Sequence, residues 1–200
     1  MFKKLLACVV FLGLLTGCQS TLMEPVQEQA LTNAKSGNSQ IVFMRSAFVG
    51  QAIQASVYDV TNGKPEFIGI VSNDTKVSYE TEPGERMFMV VGESADFLKA
   101  NITKDQTYYS IVSPRMGFWK ARFSLHPVRN DSSGKFQYQS KDFQKMLKDS
   151  KFVKSGVKAE QWAMDNANSI NDKYQKYLPE WQGKAIAKQQ EATINAVDHM

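Results

Sequence analysis

Ala52-Ile53-Gln54-Ala55-Ser56-Val57-Tyr58-Asp59-Val60 and Phe67-Ile68-Gly69-Ile70-Val71, joined through Asn62-Gly63, are the residues that decide the fold. In the first stretch Ile53, Ala55 and Val57 point one way and Gln54, Ser56 and Tyr58 the other. That period of two belongs to a strand with one face inward. Asn62-Gly63 is a strong hairpin signal, because both central residues of a type I′ turn need positive φ. The second run then returns beside the first.

The same punctuation extends in both directions. Upstream, Ile41-Val42-Phe43-Met44 is apolar on both faces, as a central strand would be. Downstream, Ser72-Asn73-Asp74 turns the chain into Lys76 to Glu80, and Pro83-Gly84 supplies a type II turn into Arg86 to Val91, again apolar on both faces. Asp96 to Ile102 and Tyr108 to Ser113 are further strands, separated by Thr103-Lys104-Asp105. In Phe118 to Pro127, Trp119, Ala121, Phe123 and Leu125 point inward and Lys120, Arg122 and Ser124 outward. The pattern predicts a mainly β domain over residues 40–128, a small antiparallel β-sandwich of seven to eight strands.

The composition changes after Asn130-Asp131-Ser132-Ser133-Gly134. Ser140 is a suitable N-cap, and Phe143, Met146 and Leu147 form an apolar stripe. From Lys158 to Tyr177, Ala163, Ala167, Ile170, Tyr174 and Tyr177 recur at helical spacing, and Pro179 breaks that helix or opens the next. Residues 140–198 are therefore expected as a helical C-terminal appendage, removable after Lys158 without unfolding the β-domain. On the other flank, residues 18–39 are polar and contain Pro25 and Ser36-Gly37-Asn38-Ser39, the composition of a flexible tether.

Residues 1–17 hold Lys3-Lys4 and an apolar run from Leu5 to Leu15, too short to span a bilayer and matched to a secretory signal peptide. Leu15-Thr16-Gly17-Cys18 resembles the lipobox of bacterial lipoproteins. That resemblance implies cleavage before Cys18, diacylglycerol on its sulfur and a further acyl chain such as palmitate on its amine. Gln19 after the cysteine implies the periplasmic face of the outer membrane. The whole chain carries 24 Lys and Arg against 20 Asp and Glu, for a net charge of +4. Loss of Lys3 and Lys4 leaves a nearly neutral chain, and no basic block of the nucleic-acid-binding kind is expected. With Cys8 removed and Cys18 occupied by lipid, no disulfide can form within the chain.

The lipobox, Ile41-Val42-Phe43-Met44-Arg45, the Glu82-Pro83-Gly84-Glu85 turn and Lys104-Asp105-Gln106-Thr107-Tyr108-Tyr109 occur in that order. Together they resemble an uncharacterised family of proteobacterial lipoproteins, a domain of unknown function similar in pattern to PEGA-type small β domains. The resemblance covers about Gln40 to Pro127 and implies a β-sandwich on the envelope side of the membrane. It carries no catalytic residues to transfer.

Chemistry is sparse. His126 and His199 are the two histidines, and no His-x-x-His, Cys-x-x-Cys or Gly-x-Ser-x-Gly pattern is present. The expectation is no cofactor, no metal and no catalytic residue. Glu80 with Glu82, or Glu93 with Asp96, are the nearest approach to a glycosidase-type carboxylate pair. Arg115, Trp119, Lys120 and Arg122 place cations beside aromatics, a candidate contact for a ligand or lipid headgroup. Trp162, Tyr174, Tyr177 and Trp181 are a candidate face for docking an envelope protein. The leading expectation is a lipid-anchored, non-enzymatic binding or adaptor module of the cell envelope. A periplasmic glycan or peptide binder is the alternative, and an unrecognised hydrolase stands third.

Overall fold

The computed structural model describes residues 22–46, 53–115 and 122–200. The signal peptide expected over residues 1–17, Cys18, Trp119 and Lys120 lie outside the described residues. In chain order the elements are β1 (Glu24–Pro25), β2 (Ser39–Arg45), β3 (Ala55–Asp59), β4 (Glu66–Val71), β5 (Thr75–Thr81), β6 (Gly84–Val91), β7 (Ala95–Ile102), β8 (Thr107–Arg115) and β9 (Arg122–Arg129). Then come β10 (Phe136–Gln137), α1 (Lys141–Asp149), β11 (Lys151–Lys154), α2 (Val157–Asp165), α3 (Ala167–Gln182), α4 (Ile186–Glu191) and β12 (Thr193–Ile194).

Two sheets result, in the orders β1-β11-β5-β2-β8-β9-β10 and β12-β7-β6-β3-β4. The protein is mainly β with C-terminal helices. The hairpins β3–β4, β6–β7 and β8–β9 are antiparallel, as their short connections require. Both sheets are nevertheless mixed. β2 runs parallel to β8, and the short strands β10, β11 and β12 lie parallel to β9, β5 and β7. The Asn62-Gly63 turn also differs from the I′ form. Gly63 alone has a positive φ (+77°), and its N–H bonds the Val60 carbonyl, so Gly63 closes the turn rather than sharing its centre. At Pro83-Gly84 the glycine does take positive φ (+120°).

Burial explains the two doubly apolar runs. Ile41 and Phe43 of β2 meet Phe88 and Val90 of β6 between the sheets. Their alternates turn outward: Val42 and Met44 pack with Phe143 of α1, while Met89 and Val91 pack with Ile170, Tyr174 and Trp181 of α3. Each sheet thus has a helix on its outer face. Ser140 caps α1 by accepting from the Phe143 N–H at 3.2 Å, with Asp142 in the first turn. The expected long helix from Lys158 divides at Asn166, whose amide donates to the Trp162 carbonyl, and Pro179 lies inside α3 without ending it.

Two expected segments change character. Residues 140–198 are not only helical, because β11 inserts between β1 and β5, and β12 adds to β7. Ile194 is fully buried in the inter-sheet core. Beyond it the Asp198 carboxylate meets Arg129 at 2.8 Å, both side chains being buried, and also accepts from the Asn195 N–H. Tyr138 donates to the Asp198 carbonyl and Tyr108 to that of Ala196. Gly134 lies on the stem of Arg129, where a Cβ would stand 2.8 Å from Cγ. The expected tether over residues 18–39 is likewise packed onto the domain where it is described. Met23 is buried in the core, β1 pairs with β11, and the Gln29 side chain bonds both N–H and C=O of Phe152.

Candidate functional site

Arg115 at the end of β8 and Arg122 at the start of β9 are cross-strand partners. Two like charges at that spacing repel unless something anionic stands between or beside them. Asp96, second residue of β7, fills part of that role. Its carboxylate is 3.9 Å from Arg115 Nη2 and 3.0 Å from Lys184 Nζ, and the residue is only 8 % exposed. The last two turns of α3 bring Tyr177, Glu180 and Trp181 to the same place. Together these groups line a notch of about 120 Å³ that Ser94 also borders.

The notch therefore joins members of both candidate sets: Arg115 and Arg122 from one, Tyr177 and Trp181 from the other. Trp181 is not an exposed docking residue. It is 1 % exposed, 6.2 Å from the Phe97 ring, and Lys99 Nζ lies 5.4 Å from its own ring. Tyr174 is buried against Phe97 as well. The docking face is thus interior at these two positions, because the outer apolar side of β6 and β7 needs cover more than a partner needs a handle. Arg122 is exposed and, among the described residues, forms no salt bridge. Asp96 and Lys184 supply the ion pair that sequence reasoning missed. A carboxylate at the head of the apolar run Ala95-Asp96-Phe97-Leu98 was the available signal, since such a group needs a cation close by.

Trp162 lies elsewhere. It packs at 6.4 Å from Phe67 and borders a hollow of about 220 Å³ between α2, α3 and the ends of β3 and β6. Ile70, Val91 and Ile170 give this hollow apolar walls, and Ser56, Asn166, Ser169 and Lys173 a polar rim. The four carboxylates considered as acid–base pairs do not converge. Glu80 accepts from Asn38 and Glu82 pairs with Arg86, while Glu93 borders the Trp162 hollow and Asp96 the charged notch.

His126 borders a wider trough of about 700 Å³ with Lys135, Gln190 and Glu191. Burial pushes its imidazole down to about 4, with Lys135 adding to the effect, Asp96 opposing it and Arg115 adding a little more. His199 stands apart, edge-on to Tyr108. Because His126 resists protonation only in the folded state, its contribution to stability is complete above about pH 6.5 and falls as pH drops toward 4. The loss is expected to reach about 3 kcal/mol, read as a falling urea midpoint over that range. In His126→Gln this part of the pH dependence should vanish. An unchanged profile would show that the imidazole is hydrated in the folded state.

No protein-family model matches the chain, and neither a curated protein nor a solved structure matches it.

Proposed function

We propose that this chain is a lipoprotein of the bacterial cell envelope, held by lipid on Cys18 at the periplasmic face of the outer membrane and acting as a non-enzymatic binding module. The observation that carries this reading is the order basic start, apolar run, Leu15-Thr16-Gly17-Cys18, and then the strand-rich stretch from Gln40 onward. In this reading the charged notch takes one small anionic group, a phosphate or carboxylate, on Arg122 and Arg115. The test is direct. Cells fed labelled palmitate should label the protein, mass spectrometry should find the thioether on Cys18, and Cys18→Ala should move the protein from the membrane fraction to the soluble one. An intact leader or a free Cys18 thiol overturns the proposal.

The Trp162 hollow favours a second reading, a periplasmic glycan or peptide binder. An indole beside hydroxyl and amide groups suits one sugar ring or one peptide side chain. Sedimentation with purified peptidoglycan, lost in Trp162→Ala, would support it.

A further inference from the structure

Lipid on Cys18 would leave three residues, Gln19 to Thr21, before Leu22 packs against the core. From there the chain is fixed to the edge of the larger sheet. Met23 is 3 % exposed and its Sδ accepts the Ile70 N–H at 3.3 Å. Glu24 and Pro25 pair with Lys154 and Val153, and the Val26 N–H bonds the Phe152 carbonyl at 3.1 Å. Four residue steps reach at most about 14 Å. The headgroup zone of one leaflet is itself roughly 5–8 Å deep. An anchor at Cys18 therefore leaves the β1–β11 edge no room to stand clear of the bilayer surface.

That edge is basic. Residues 141–158 contain six lysines, at 141, 145, 148, 151, 154 and 158, against Asp142 and Asp149. All six are exposed. Their grouping shows at Asp149, whose carboxyl is held below its usual range by the hydrogen bond from Lys145 and by the charges of Lys145, Lys148 and Lys151. Lys154 stands across from Glu24 on β1, and Val157, 83 % exposed, projects beside Lys158. Acids are interleaved with them: the Glu24 carboxylate lies against Gly156, Asp74 stands beside Lys151, and Glu28 and Glu160 are exposed nearby in the chain. We propose that this edge, where Lys151 and Lys154 reach out from opposite sides of β11 and Lys148, Val157 and Lys158 flank them in the chain, lies on the anionic phospholipid headgroups of the membrane that holds the anchor. The lysines meet headgroup phosphates and Val157 enters the apolar boundary. The anchor then fixes the domain's orientation as well as its address. This rests on the lipid-anchor reading above.

The test uses the lipidated full chain reconstituted in vesicles of phosphatidylethanolamine with phosphatidylglycerol. Amine acetylation is read lysine by lysine by mass spectrometry. Lys148, Lys151, Lys154 and Lys158 should lose reactivity at least about fivefold relative to the protein in detergent, on the scale of one headgroup contact per lysine. Lys64 and Lys104 should not change. A fluorophore on Val157→Cys should be quenched by lipid-borne quencher, and the quenching should be lost when the four lysines are changed to Glu in the same anchored protein. Uniform reactivity with the thioether intact overturns the orientation and leaves the anchor standing, and equal protection in phosphatidylcholine vesicles overturns the contact with anionic headgroups. Absence of the thioether in the mass spectrum overturns both.

Discussion

Truncation after Lys158 is expected to leave an insoluble chain rather than a folded β-domain. The deletion strips Ile170, Tyr174 and Trp181 from the outer face of β3, β6 and β7, and Ile194 from the core between the sheets. Each such side chain contributes about 1.5–3 kcal/mol of burial, so four of them rival the about 5–15 kcal/mol that holds a typical domain. Met89, Val91 and Phe97 would then face water as one apolar surface. Expression of residues 18–158 beside residues 18–200, followed by sedimentation and circular dichroism, checks this. A soluble truncation with a cooperative thermal transition would show that the helices are dispensable.

Asp198→Ala should cost about 3–5 kcal/mol, the largest effect expected of a single substitution outside the aromatic core. The carboxylate is the buried counter-charge of Arg129, which also donates to the Gln190 carbonyl at 2.9 Å. Its loss strands a guanidinium among Tyr138, Asn195 and the stem-packed Gly134. The double variant Arg129→Met with Asp198→Leu should recover much of the loss, because a buried ion pair adds little over a well-packed apolar pair. Urea denaturation of the two single variants and the double variant measures the coupling. Additive losses would mean that the two residues act independently.

The hairpins were legible because their signals are local. Thr75–Thr81, Gly84–Val91, Ala95–Ile102 and Thr107–Arg115 fall within about two residues of the runs read from alternation and turn residues. The parallel pairing of β2 with β8 was not, since nothing in a strand's own pattern names a partner beyond the next turn. β11 and β12, four and two residues long, are too short to show a period. That the narrow helix stripes could cover a sheet face was legible as well. Val42, Met44, Met89 and Val91 on the outer sides of central strands required cover, and helix residues Phe143, Ile170, Tyr174 and Trp181 provide part of it.

At the candidate site, Arg115 and Arg122 could be placed together from the β8–β9 hairpin, and Tyr177 with Trp181 from the period of α3. Their meeting could not. It depends on Asp96 and Lys184, 88 positions apart, and on the way α3 lies across β7. The six lysines of 141–158 escaped notice for a related reason. A helix, a strand and a helix start present them in turn, and a linear charge count shows no block.

The wiring of the two sheets sets a clock. Gln40 must find Thr107, and Thr193 must find Lys99, before either sheet is complete. Closure over such distances is slow, on the order of milliseconds to seconds where helical bundles need microseconds. Under the export proposed above, that delay would leave the chain threadable while it crosses the inner membrane.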